Sequence, residues 1–294
     1  MSKSGKITLS DFLGVLVVLG IAIGILVPIL ASSIMRTYKQ EALTDFDRLM
    51  QGIAHIPFMK ITKKLVKEYT LNVNKEFHAV IEVTGGAIKI TEGHGNIVKI
   101  RVYAYEGMPW FKGVDSERKY NVYYCERTNT LSINVNRYSV VIEIPSNYIS
   151  SISLSISGGV AKIDTPLTNL KYLVVNVSGG AVDLKPASLG KVNVSISISI
   201  TGGALDGNLE FSRYVGESDV KIDMSGGAID LDIQLPSNVK VKVNGEFTSG
   251  IVSVKINGEH VGRSYIEDGY EQASSKIYIS YDVHGGIIDV GIRK

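Results

Sequence analysis

The five histidines, His55, His78, His94, His260 and His284, are scattered along 294 residues without the close spacing that a zinc site needs. A single cysteine, Cys125, excludes an intrachain disulfide framework and any cysteine-rich metal cluster. The sequence holds no Gly-x-Ser-x-Gly element, phosphate loop or dinucleotide fingerprint. On these residues the chain reads as a non-enzyme, with no catalytic residues, no metal ligands and no cofactor. The one repeated chemistry is acidic: Asp183, Asp206 and Asp230 occupy the same place in successive segments. Stacked at the strand spacing of about 5 Å, such carboxylates repel unless water or a cation such as calcium intervenes. Solvated acids fanning outward beside Lys162 are the favoured reading. The charge balance, 31 Lys and Arg against 29 Asp and Glu, gives none of the broad basic surface that nucleic-acid binding needs.

The elements that must position these residues are marked by glycine, of which there are 30. Seven segments align on a glycine pair: Thr84-Gly85-Gly86, Ser157-Gly158-Gly159, Ser178-Gly179-Gly180, Thr201-Gly202-Gly203, Ser225-Gly226-Gly227, Thr248-Ser249-Gly250 and His284-Gly285-Gly286. The first positions of these pairs advance by 73, 21, 23, 24, 23 and 36 residues. The middle intervals are one period. The first is about three periods, which implies two degenerate units between Ile90 and Ile156, and the last is one period plus an insertion. After each pair, apolar residues such as Ile88/Ile90, Val182/Leu184 and Ile288/Val290 alternate with Lys89, Asp183 and Asp289. Alternation of period two means half-buried strands. The apolar set moves from two positions before the first glycine to three after it, an odd step that changes the buried face. The glycines must therefore supply a bulge or corner.

A strand–corner–strand unit of this size cannot bury its own apolar face and needs stacked neighbours. The expected fold is mainly β: a β-solenoid of stacked coils of about 22–24 residues. A β-sandwich of hairpins competes, but the near-constant period and the scarcity of hairpin dipeptides favour the solenoid. Lys191 to Ile200, KVNVSISISI, is the clearest single strand.

The N-terminus is of another kind. Phe12 to Met35 is 24 residues without a charge, long enough at 1.5 Å per residue to cross a hydrocarbon core of about 30 Å. Met35, Tyr38, Ala42, Phe46, Leu49 and Ile53 continue a helical face. One transmembrane and stalk α-helix is expected from about Ile7 to Ile56, bent at Pro28 and ended at Pro57. Lys3 and Lys6 before the span balance Arg36, Lys39 and Arg48 after it, so loop charge leaves the orientation tied. Residues Ile7 to Leu13, with Asp11 and Pro28, resemble the start of a type IV pilin. That resemblance covers about 50 residues and departs at the cleavage site, where Lys6 precedes Ile7 and Gly5 lies one place early. It implies an alternative: a pilin-like subunit that assembles into a surface filament through its N-terminal helix.

A second resemblance is broader. Thr84-Gly85-Gly86-Ala87-Ile88, Val98 to Val102, Thr130 to Ile133, Val141 to Pro145 and the successive Ser-Gly-Gly units are similar, over about residues 76–294, to a putative-adhesin family built on repeated glycine-containing β-units. Those relatives often have Ser-Gly-Asp where this chain has Gly-Gly-Ala. The resemblance implies an extracytoplasmic β-solenoid, which breaks the orientation tie, and it implies no catalytic residues.

Residues 1–56 are thus expected as the transmembrane helix and stalk, 57–75 as a linker and 76–294 as the β-solenoid. The expected partners are the lipid bilayer through Phe12–Met35, and other copies or cell-surface components. Two loops interrupt the repeat. Glu106 to Lys119 carries Trp110 and Phe111, which either cap the open end of the stack or form a contact loop. Asn257 to Ser275 carries Tyr265 and Tyr270. Asn176-Val177-Ser178 and Asn193-Val194-Ser195 are glycosylation sequons, near chance for this composition.

Overall fold

The computed structural model describes residues 62–106, 119–190, 193–211 and 216–294. The segment Phe12–Met35, the stalk to Ile56 and the Trp110–Phe111 loop lie outside the described residues. Among the described residues the fold is mainly β, and no helix is long and apolar enough to cross a membrane.

The strands run, in chain order, as β1 (Thr62–Asn72), β2 (Phe77–Glu92), β3 (Ile97–Glu106), β4 (Lys119–Cys125), β5 (Thr130–Asn136), β6 (Ser139–Ile144) and β7 (Ile149–Asp164). They continue as β8 (Tyr172–Val177), β9 (Ala181–Leu189), β10 (Ser195–Ile200), β11 (Ala204–Phe211), β12 (Glu217–Met224) and β13 (Ala228–Gln234). The last six are β14 (Lys240–Phe247), β15 (Ile251–Ile256), β16 (Glu259–His260), β17 (Ser264–Ile266), β18 (Lys276–Val283) and β19 (Ile287–Arg293).

Period-two sequence explains these elements directly. In β10 the isoleucines 196, 198 and 200 are fully buried, while Ser195, Ser197 and Ser199 face outward. β-Branched residues on one face stiffen the extended backbone and fill the core. Each fully buried Val, Ile or Leu contributes about 1.5–3 kcal/mol, and one continuous cluster runs from Val73 to Ile292.

Each unit supplies one strand to each of two ladders. The first ladder runs β5–β2–β7–β8–β10–β12–β18–β14, all parallel. The second runs β6–β2–β7–β9–β11–β13–β19–β15, again all parallel. Long β2 and β7 serve both ladders, and in the other units the chain breaks at the bend. Three differences from the sequence reading follow. Between Ile90 and Ile156 lies one parallel unit, β5–β6, rather than two degenerate ones. The remainder of that stretch, β3 and β4, pairs antiparallel with β6 and β5 and covers their outer edges. The segment 57–75 contains β1, which pairs antiparallel with β3 along its length. The clear strand within 191–200 is shorter, because Asn193 takes a left-handed φ of 59° and β10 starts at Ser195.

The order of stacking is not the order of the chain. The last unit, β18–β19, lies between β12–β13 and β14–β15. The 36-residue interval is the path that makes this possible: β16 and β17 cross the end of the stack as short antiparallel strands on β15 and β14. Asn257 and Gly258, with φ of 50° and 88°, turn β15 back into β16 in the manner of a tight hairpin. Glu267 holds this excursion down. It accepts hydrogen bonds from Lys240 Nζ and the Val241 N–H, both at 3.1 Å, and from Lys294 Nζ. Burial alone would raise its carboxyl pKa, but these three donors hold it below the ordinary value. Tyr270, buried, lies between Lys242 at 5.6 Å and Lys276 at 5.8 Å from its ring. At the opposite end β1 is, among the described residues, an exposed edge strand; a bulge between Leu65 and Lys67, with Lys63, Lys64 and Lys67, blunts it against further pairing.

Candidate functional site

The repeated bend decides what the two outer faces display. Gly159, Gly180, Gly203, Gly227, Gly250 and Gly286 hold φ between 88° and 101°, and in the first unit Gly85 holds 66°. Gly158, Gly179, Gly202, Gly226 and Gly285 precede the left-handed glycine of their pairs, and Gly86 follows Gly85. A Cβ added at Gly203 would sit on the Gly180 carbonyl oxygen of the unit below. The backbones therefore stack closely at this bend because no side chain stands there. The β5–β6 unit has no glycine at the equivalent place; Arg137 takes the left-handed φ of 62° instead. His284 stands where other units have Ser or Thr, with Nδ1 3.2 Å from Thr248 Oγ1.

On the outer face of the second ladder the register forms one charged column: Lys89, Lys162, Asp183, Asp206, Asp230 and Asp289. The expectation of solvated acids is corrected here. Asp183 is only 7% exposed, and lysines sit among the carboxylates. Lys162 Nζ lies 3.7 Å from Asp183 Oδ2, and Lys185 Nζ lies 2.7 Å from Asp206 Oδ2 and 3.9 Å from Asp183 Oδ1. Oδ1 of Asp183 has no hydrogen-bond partner. Burial raises the Asp183 carboxyl above its ordinary pKa, and the two lysines offset only part of this. Burial would lower Lys185, but its hydrogen bond to Asp206 and the charge of Asp183 raise it. Among the described residues no group of three His, Cys, Asp or Glu is arranged to hold a metal ion.

A carboxyl whose folded pKa is raised is bound in its protonated form more tightly by the folded chain. Its contribution to stability therefore falls as pH rises from the unfolded value near 3.9 through the folded one. Asp183→Asn is expected to melt at or above the wild-type temperature at pH 7, with the difference gone below about pH 4. A lower melting temperature of the variant at pH 7 would show that the lysine pairs outweigh the burial.

The outer face of the first ladder is different in chemistry. β7 presents Ser151, Ser153 and Ser155, and β10 presents Ser195, Ser197 and Ser199. Between them, in register, β8 presents Tyr172, Val174 and Asn176. At the bend, Thr84, Ser157, Ser178 and Thr201 extend the hydroxyl row, and Ser157 Oγ donates to Thr84 Oγ1 at 3.1 Å. Here the surface is concave: a groove of about 340 Å³ crosses four units and is lined by Glu82, Ser155, Asn176 and Ser199 together with the bend hydroxyls. Tyr172 is 55% exposed. Of the two sequons, Asn176 lies in this groove. Asn193 sits in a turn, where its Oδ1 accepts the Glu217 N–H at 2.9 Å.

No expectation drawn from the sequence included this face. Its signal was present in the Ser-x-Ser alternation of residues 151–157 and 195–201, read there only as strand. Of the predicted residues, the structure lines the paired glycines up along one bend and leaves Tyr265 and Tyr270 at the stack end; Trp110 and Phe111 lie outside the described residues.

No family model matches the chain, and no curated protein matches it. Solved structures do. A putative cell adhesion protein from Clostridium sporogenes aligns at 18% identity over 78% of this chain and 100% of its own, with a TM-score of 0.44. A putative adhesin from Bacteroides fragilis aligns at 15% identity over 78% and 98% of the two chains, TM-score 0.29. One from Parabacteroides merdae aligns at 12% identity over 80% and 95%, TM-score 0.33. These three structural neighbours of the β-rich chain are putative cell-adhesion proteins or adhesins at low identity.

Proposed function

We propose that this chain is a membrane-anchored extracytoplasmic β-solenoid protein with a surface-structural or adhesion role. The observation that carries the reading is the residue-for-residue parallel register of the units: Glu82, Ser155, Asn176, Ser199, Asp223, Asp282 and Glu246 form one column. Such stacking builds broad, rigid outer faces from short repeats, which suits display and contact. The uncharged stretch Phe12–Met35 supplies the anchor in this reading. Asp11 and Pro28 favour a second reading, in which the N-terminal helix packs into a pilin-like filament.

Protease added to intact cells, with N-terminal sequencing of the native chain, tests both. The anchor reading expects the β-region to be degraded from outside and the span to remain with the membrane. A β-region that survives protease on intact cells overturns the extracytoplasmic assignment. A mature chain that begins at Ile7 overturns the uncleaved anchor and supports the filament subunit.

A further inference from the structure

We propose that the outer face of the first ladder, from Tyr172 along β8 to the groove at its bend end, binds a neutral polysaccharide. This deepens the adhesion reading by naming its ligand class.

Three features of the face converge on that chemistry. The first is the absence of charge: the outward positions of β7, β8 and β10, from Ser151 to Thr201 in register, carry hydroxyls, one carboxamide, one valine and one tyrosine, and no Lys, Arg, Asp or Glu. The second ladder, built from the same units, fills its outer face with Lys162, Asp183, Lys185 and Asp206. A soluble surface has no need to differ so sharply between two faces of one repeat. Each hydroxyl is at once a donor and an acceptor and can turn to suit its partner, which matches a ligand that is itself a row of hydroxyls. An uncharged face also avoids the desolvation that charged groups would impose on such a ligand.

The second feature is shape. The groove is a concavity crossing four units, with Glu82 and Asn176 among its lining residues. An extended chain laid along β8 from Tyr172 reaches this groove within about 13 Å, at about 3.3 Å per residue, with the serines of β7 and β10 in register on either side. The third is Tyr172. Its register neighbours, Ser151 and Ser195, are small, so the ring stands clear of them and is 55% exposed. An aromatic ring held on a rigid strand offers an apolar face for the C–H side of a sugar ring and loses little entropy on contact. Asp219, paired with Ser195 Oγ at 3.0 Å, and Glu82 close the two sides of the patch with acceptors.

The test uses the purified full chain in a zwitterionic detergent, so that no sugar headgroup competes. The probes are pentasaccharides of α- and β-linked glucose, mannose, galactose and N-acetylglucosamine, with polygalacturonate as the anionic comparison, titrated to millimolar concentration by calorimetry. At least one neutral pentasaccharide is expected to bind, with an affinity indifferent to salt. Tyr172→Ala is expected to weaken that binding by about three- to tenfold, and Ser153→Lys with Ser197→Lys to abolish it. Tyr123→Ala, an equally exposed tyrosine on β4, is expected to leave it unchanged. No binding by any neutral probe, preference for polygalacturonate, or binding indifferent to Tyr172→Ala and to the paired lysines would each overturn the proposal. A cell-attachment assay separates it from the broader reading. Attachment that persists in Tyr172→Ala removes this site and keeps adhesion; sugar binding by a chain that attaches to nothing removes adhesion and keeps the site.

Discussion

Gly203→Val is expected to lower the stability of the β-region by more than about 2 kcal/mol, read as a fall in melting temperature or denaturation midpoint. Two costs combine. Gly203 holds φ at 89°, a region a β-branched residue rarely enters, at about 1–3 kcal/mol. Its new Cβ would also press on the Gly180 carbonyl oxygen, and neither backbone can yield without disturbing the bend above or below. Gly203 pairs through its neighbours with both β9 and β13, so the strain reaches both. Gly262→Val provides the control, since nothing lies within 4 Å of a Cβ there; its effect is expected within about 0.5 kcal/mol. Equal melting of Gly203→Val and wild type would mean that the glycine bend does not hold the units together.

Ending the chain after Ser275 is expected to unfold more than it removes. The deleted unit, β18–β19, supplies Ile277, Ile279, Tyr281, Val283, Ile288, Val290 and Ile292 to the core. At about 1.5–3 kcal/mol each, these losses together are comparable to the whole stability of an ordinary domain, about 5–15 kcal/mol. Among the described residues β14 and β15 have no parallel partner other than β18 and β19. They are therefore expected to come loose together with β16 and β17, while β1–β11 keep their neighbours and β12 and β13 stay held on one side by β10 and β11. Limited proteolysis should cut throughout residues 236–275 and spare the units before them. Protection of 236–275 in the shortened chain would contradict the stacking order described above.

The unit itself was legible because its physics is local. Alternation in Ser195–Ile200 is set by the two-residue period of a strand, and the odd step across Gly202-Gly203 is visible as a count. The same logic failed where the cause was distant. Asp183 looks like Asp206 and Asp230 in sequence; its burial comes from the particular packing of Lys162 and Lys185 above and beside it. The stretch holding β5–β6 reads in sequence as two degenerate units and is one, because Arg137 performs the left-handed step and no residue type announces that. The hydroxyl face escaped because serines in one strand are only outward residues until two other strands come to lie beside them.

What the sequence determined by itself is the repeat: strands of period two, a bend at the paired glycines, a charged side and an apolar side, and an uncharged N-terminal stretch of membrane-spanning length. What only the tertiary structure decided is which unit lies on which. Every unit offers a neighbour the same row of Val, Ile and Leu and the same backbone hydrogen bonds, so local sequence does not rank the possible partners. The end coverings β3, β4, β16 and β17 and the reach of residues 257–275 select one order, with β2 between β5 and β7 and β18 between β12 and β14.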